Sequence, residues 1–304
     1  SNDRLSLGVE IMDVNGDGLI DFAKNMLGST ELGVYINKGN GTGWYKDTDF
    51  GNPPEAFNSY NNGDLGTRVM NVNDDILPDI FRSYAEVSSG VTTYTKRLYL
   101  NKNKVQDVLK TVNTKEGGII LVNYKHSAGY RNASEQLLNP NLHLNLYTAH
   151  EVGYDNGLGN VATTTYAYEG GYHYFNGAAD RKFSGFGIVK ATDNLGNVTK
   201  TYYHQGNSTN SSQGEYNDHI TKTGRPYRIE KYDSQGNLYQ KTINTWDHFD
   251  LGNNRNFVKL IQSVDFSYNG NTTHKDRASS YIYNNTNGNL TQKTEWGEVT
   301  GSDD

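Results

Sequence analysis

Side chains able to hold a hard cation stand at alternating positions early in the chain. In "DVNGDGLIDF", residues 13–22, oxygen is carried by Asp13, Asn15, Asp17 and Asp21, and Gly16 and Gly18 let the backbone bend between them. Calcium takes about six to eight hard oxygen ligands, and alternating carboxylates and amides in a glycine-bent loop deliver several from one short segment. With the Leu19 carbonyl as a backbone ligand, this loop is expected to bind Ca²⁺. A polar hairpin turn is the alternative, because Asn-Gly and Asp-Gly are turn signals in their own right. The pattern returns 58 residues on at Asn71, Asn73, Asp75 and Asp79, with Asn71 in place of an acid and Ile76 in place of a glycine. A second calcium loop is expected there, with one carboxylate fewer.

The first loop is not a helix-flanked EF-hand. Its twelfth position is Lys24 rather than Glu, and "GVEIM" before it and "IDFA" after it read as strands. Other chemistry-bearing motifs stop short. "HEVGY" begins at His150 like a zincin but places Tyr154 where the second histidine belongs, and "GNGTG" at Gly39 runs into Trp44 and Tyr45 with no helix to hold a phosphate. There is no nucleophile elbow and no P-loop. The eight histidines are dispersed, His143 and His150 being the nearest pair, so a histidine metal site has no local support. No cysteine is present, which removes disulfides, thiolate ligands and cysteine nucleophiles together. No catalytic residues are assigned, and the chain is expected not to be an enzyme. A carboxylate pair for glycoside hydrolysis could be assembled only in three dimensions.

The elements that must carry these loops are strands. Of 304 residues, 23 are Tyr, 33 Gly and only five Pro; Tyr favours a pleated, half-buried surface and Gly the turns between strands. "LGVYIN", "RLYLN", "GIILVNY", "ATTTYAY", "GIVKAT", "TKTYYH", "RIEKY", "YQKTINTW", "VDFSY" and "SYIYN" all read as strands. Helical periodicity is hard to find, and 135–138, the best candidate, is too short to stand alone. After each Asp/Asn loop comes a Tyr-x-Asn-Lys strand end, at Tyr35 and Tyr99, so two units of roughly 60 residues fill residues 1–104. From 105 the punctuation becomes Asp or Tyr followed by Gly-Asn: "YDNGLGN", "DNLGN", "YDSQGN" and "YNNTNGN". Each is expected to be a tight turn between strands.

Only 34% of residues are hydrophobic and the mean hydropathy is −0.78, so the chain has little spare apolar surface and is expected to be soluble. No run is long and apolar enough to span a membrane, and no leader opens the sequence. The opening Ser-Asn and closing "GSDD" are compatible with a piece cut from something longer. Net charge is −6, with basic residues scattered singly, so no nucleic-acid footprint is present.

The two loops resemble the calcium loops of FG-GAP or VCBS repeats in β-propellers, whose blades continue into a strand like "VYINKGNG". A longer block, residues 163–207, resembles the middle region of SpvB-like and Tc-toxin B-component proteins. It carries Tyr172, Tyr174, Arg181-Lys-Phe183-Ser-Gly185-Phe186 and Tyr202-Tyr203-His204-Gln205-Gly206 in that order. "YDSQGNLYQKTINTW" and "YNNTNGNLTQKTEW" resemble RHS or YD repeats. These resemblances imply an all-β chain: propeller-type repeats over 1–104, then an RHS-like antiparallel β-sheet or shell region over 105–304. They imply a non-catalytic scaffold fragment of a secreted bacterial RHS-type toxin or surface protein, forming part of a β-shell or docking surface for another polypeptide or cargo. Its partners would be the remainder of a longer RHS-type polypeptide or toxin component. An adhesion or carbohydrate-binding module, with a protein or glycan ligand, is the alternative; a hydrolase with a site not visible in sequence is the third reading. Arg181 is expected as an inter-strand packing or salt-bridge residue, His204 as a hydrogen-bonded sheet histidine, and Trp246 and Trp296 as strand-face anchors rather than sugar platforms.

Overall fold

The computed structural model describes residues 7–61, 63–73, 75, 77–102, 108–142, 144, 146–253, 255–270 and 272–299. Ile76, His143 and the expected boundary at Lys104 lie outside the described residues. Two compact units are present, Ser1–Leu109 and Lys110–Asp304. Both are built from strands, and no α-helix occurs among the described residues.

The first unit contains β1 (Val9–Met12), β2 (Asp21–Lys24), β3 (Met26–Leu27), β4 (Gly33–Asn37), β5 (Trp44–Asp47), β6 (Asn58–Ser59), β7 (Gly63–Asp64), β8 (Thr67–Met70), β9 (Asp79–Ser88) and β10 (Val91–Tyr99). An antiparallel sheet runs β1-β2-β4-β5, a second runs β8-β9-β10, and β3, β6 and β7 make a small third. The strands read on either side of the first loop are β1 and β2. Period-two alternation turns Asp21 and Ala23 of β2 inward and leaves Phe22 and Lys24 half-buried. The apolar core gathers Val14, Ala23, Val34, Ile36 and Phe57, flanked by Met12, Phe50, Val69 and Ile80. Burying an aliphatic side chain of this size contributes roughly 1.5–3 kcal/mol. Glu55, also buried, ties β9 to β10: Arg82 donates to its Oε2 (2.6 Å), and Arg97 (2.9 Å) and the Tyr99 hydroxyl (2.8 Å) donate to its Oε1. Burial raises its pKa, but these three donors outweigh that and hold it at about 2.

The second unit contains β11 (Thr111–Asn113), β12 (Ile119–His126), β13 (Tyr147–Asp155), β14 (Val161–Phe175), β15 (Arg181–Thr192), β16 (Val198–Tyr203), β17 (Pro226–Tyr232), β18 (Leu238–Asp250), β19 (Asn256–Tyr268), β20 (His274–Tyr283) and β21 (Leu290–Glu298). These eleven strands form one antiparallel sheet in chain order. The Gly-Asn punctuation makes its turns. At 193–197, Asp193 Oδ1 accepts from the Leu195 and Asn197 amides and Oδ2 from the Asn197 side chain, and Gly196 takes φ +87°. Asp233 repeats every one of these bonds with Gln235 and Asn237, and Gly236 takes φ +85°. The positive φ is what makes glycine necessary there.

Register sorts the sheet into two faces. Ile188, Tyr202, Arg228, Ile243, Val264 and Ala278 lie in one cross-strand row; Val189, Thr201, Ile229, Thr242, Asp265 and Arg277 lie in the next, on the opposite face. Most of these side chains are half-buried, and among the described residues of this unit only Tyr130, Tyr202, Tyr227 and Ala278 are buried hydrophobics. Residues 127–146, between β12 and β13, and 204–225, between β16 and β17, are long excursions; each includes short 3₁₀ turns, at Ser127–Gly129 and at Ser211–Gln213 and Ile220–Lys222. The weak helical candidate at 135–138 lies in the first of them and opens with Glu135 at φ +60°.

Candidate functional site: two carboxylate loops and a buried histidine cluster

The two loops share a set of hydrogen bonds. In the first, Asp13 Oδ1 accepts from the Gly16 (2.7 Å) and Asp17 (3.2 Å) amides, Asn15 Oδ1 from Asp17 N–H (3.1 Å), and Asp17 Oδ1 from Leu19 N–H (2.8 Å). In the second, Asn71 Oδ1 accepts from Asp75 N–H (3.2 Å), Asn73 Oδ1 from the same amide (3.3 Å), and Asp75 Oδ1 from Leu77 N–H (2.9 Å). The last acid of each loop is fully buried. Asp21 Oδ2 accepts from Val14 N–H (2.9 Å) and Oδ1 from Asn37 N–H (2.7 Å); Asp79 does the same with Val72 (2.8 Å) and Asn101 (2.8 Å). Asn37 and Asn101 are the asparagines of the repeated Tyr-x-Asn-Lys strand ends. The two halves of the sequence repeat are therefore one device: a buried carboxylate that pins its own loop to the end of a later strand. Burial raises the Asp21 pKa, and the Asn37 and Val14 amides oppose that rise.

Calcium can be weighed against this geometry. Asp13, Asn15, Asp17 and the Leu19 carbonyl form an all-oxygen donor set, and a carboxylate retains acceptor capacity beyond the bonds described. Asp13 and Asp17 are half-buried and Asp21 fully buried, and both oxygens of each already accept hydrogen bonds within the loop or from Asn37. The acids of neither loop are drawn into a group of three ligand atoms within 4.8 Å of one another. The donor chemistry fits calcium, and the present spacing is that of a chain of Asx turns.

Such a group does exist elsewhere among the described residues: His204, Glu215 and Asp218. His204 is the residue after β16 rather than within the sheet, and it is fully buried. Its Nδ1 lies 2.8 Å from Glu215 Oε1 and 3.1 Å from Asp218 Oδ1. Burial lowers the histidine pKa, and the two carboxylates more than reverse this, giving a net rise; Asp218 is correspondingly lowered. Glu215 and Asp218 carried no signal in the sequence, since they stand apart from His204 without a recognisable spacing.

Other residues of the long block make hydrogen bonds and packing contacts. Tyr202 donates to buried Glu230 (2.9 Å), which Arg228 also grips (3.0 Å from Nε). The Gln205 amide donates to the Gly170 and Gly185 carbonyls (2.8 and 2.9 Å), and a Cβ on Gly206 would meet Ile220 Cα at 2.5 Å. Phe183 packs edge-on against Phe186, which lies against Tyr168. Arg181 is exposed at the hairpin end, where it pairs across the strands with Phe175, and no ion pair to it is found among the described residues. Trp246 is half-buried, donates to the Pro226 carbonyl (2.9 Å) and lies under Arg225; Trp296 is exposed and donates to Ser280 (3.2 Å).

Residues 68–212 match the family model described as the insecticide toxin TcdB middle/N-terminal region. No curated protein matches the chain. Among solved structures, the crystal structure of TcdB2-TccC3 without its hypervariable C-terminal region aligns with a TM-score of 0.62 at 16% identity, over 90% of this chain and 15% of that one. That identity speaks for the fold alone. By family model through its middle and by fold over most of its length, the chain is similar to the Tc-toxin B component.

Proposed function

We propose that the chain is a non-catalytic scaffold segment of a larger, secreted or cell-surface Tc-toxin-like polypeptide. Residues 110–304 would be part of the wall of an RHS-type β-shell, or a docking surface for another polypeptide. One observation carries this reading: an uninterrupted eleven-stranded antiparallel sheet with mostly half-buried residues on both faces, in a chain whose fold follows 15% of the TcdB2-TccC3 chain. A shell wall needs many Thr- and Tyr-rich strands and no fully apolar inner face. The four-stranded and three-stranded meanders of residues 1–109 are taken as propeller-type FG-GAP/VCBS units, in which calcium at Asp13, Asn15, Asp17, Leu19 and Asp21, and at the matching Asn71, Asn73, Asp75 and Asp79, would tighten loops rather than catalyse. No helix among the described residues is long and apolar enough to cross a membrane.

The absence of cysteine makes the shell reading testable. Lys200→Cys and Thr201→Cys place single thiols on opposite faces of β16. Maleimide labelling would be compared in the chain alone and in the longer polypeptide carrying it. A wall has one face closed off, so one of the two positions loses labelling in the longer polypeptide. Equal labelling of both positions in both settings contradicts the proposal. For the loops, calcium is expected to raise the melting temperature of the parent and not of Asp17→Ala; a rise that survives the substitution removes the first loop as its site.

A further inference from the structure

The excursion between β16 and β17 holds an arrangement that neither the shell reading nor the calcium loops require. Two carboxylate oxygens, Glu215 Oε1 and Asp218 Oδ1, converge on His204 Nδ1 at 2.8 and 3.1 Å. A ring nitrogen has one hydrogen to give, so it cannot point squarely at both. The other oxygen of each acid is held by backbone: Asn210 N–H donates to Glu215 Oε2 (2.7 Å) and Asn207 N–H to Asp218 Oδ2 (2.9 Å). Each carboxylate is thus anchored through one oxygen so that its second is presented to a common point, as in the outer shells that orient metal ligands. All three side chains are at least nine-tenths buried. The ring's other nitrogen, Nε2, is buried without a hydrogen-bond partner, so the Nδ1 side alone orients the imidazole.

The charges around the site are mixed: two buried carboxylates face one histidine, and the buried Lys222, whose Nζ donates to the Tyr216 and Asn217 carbonyls (3.0 and 2.6 Å), adds a positive charge that interacts with both acids. Donors about 3 Å apart suit a small cation with bonds of about 2.0–2.2 Å, and one imidazole with two carboxylates is a transition-metal donor set rather than a calcium one. A cleft lined by Tyr203, Gln205, Asn207, Glu215 and Tyr227 gives a route inward.

We infer that His204, Glu215 and Asp218 bind a divalent transition metal, Zn²⁺ foremost, which fastens the 204–225 excursion to the sheet. The ion would close a loop between the end of β16 and the turn before β17. Its role is structural.

Cobalt(II) titration followed by visible absorption reads the site directly, and without cysteine no thiolate band can interfere. The parent chain is expected to develop d–d bands that saturate at about one Co²⁺ per chain and are bleached by Zn²⁺. His204→Gln and Asp218→Asn should abolish them, and Asp17→Ala should leave them intact. A folded parent that takes up no Co²⁺ overturns the inference and leaves an imidazolium clamped between two acids. Bands that persist in folded His204→Gln, or that vanish in Asp17→Ala, overturn it as well. Because the parent titration needs no variant, a substitution that fails to fold does not shield the proposal.

Discussion

The repeated loops of the first unit and the broad sheet of the second hold buried carboxylates in different ways, and Glu55 of the first unit is held as those of the sheet are, by side chains. In residues 1–109, Asp21 and Asp79 are fully buried and each is satisfied by two backbone amides, one from its own loop and one from a later strand end. In residues 110–304, Glu230 is gripped by Arg228 and Tyr202, and Glu215 and Asp218 converge on His204. Amide donors come with the backbone and fix geometry, so the first unit can repeat its device at a second loop 58 residues on. Charged partners must be supplied as side chains, and they take over in the unit with fewer buried apolar groups. The repeated loops use their acids as pins; Glu55 and the acids of the broad sheet are held by ion pairs and polar clusters.

The sharpest way to break this comparison is to remove one partner of each kind. Arg228→Met leaves Glu230 buried without its cation and should cost the second unit about 3–5 kcal/mol, read by denaturant unfolding; adding Glu230→Gln should recover part of the loss. Asp79→Ala strands two amides in the first unit and should cost about 2–6 kcal/mol, at roughly 1–3 kcal/mol per unsatisfied group. Asp79→Asn, which keeps an acceptor, should cost less. If Arg228→Met proves harmless, the ion pair is not what holds its part of the sheet.

Acid should separate Glu55 from the amide-pinned acids. Its folded pKa of about 2 lies below the ordinary 4.5, so its contribution is complete above the unfolded value and is lost as pH falls from about 4.5 towards 2. Glu55→Gln should flatten that part of the stability–pH curve for the first unit. The smallest effect is expected for Asn37→Ala, at or below about 1 kcal/mol, because the backbone amide that serves Asp21 survives and only exposed side-chain bonds go.

Much of the fold was legible in the sequence because it is written in local code. Strands with period-two burial and turns with Asp at the start and Gly-Asn at the end are set by residues within five positions of one another, as at Asp193 and Asp233. The repeat of loop and Tyr-x-Asn-Lys strand was visible too, although its meaning was not: the asparagine matters through its backbone N–H, which every residue but proline carries. Asp21 and Asp79, read in the sequence as loop ligands, each accept from two backbone amides in the structure. His204, Glu215 and Asp218 were out of reach, since a 3₁₀-turned excursion with no periodicity brings them together.

Amide hydrogen exchange along the sheet edges tests the shell directly. β11 and β21 are the edge strands and are almost entirely exposed, so their outward N–H groups lack ladder partners. In the chain alone, alternate amides of Leu290–Glu298 and Thr111–Asn113 should exchange rapidly. In a longer polypeptide whose shell continues from those edges, the same amides should slow by orders of magnitude while the central strands change little. Unchanged edge exchange in the longer polypeptide would mean that the sheet stops at β11 and β21, contradicting its assignment as a shell wall.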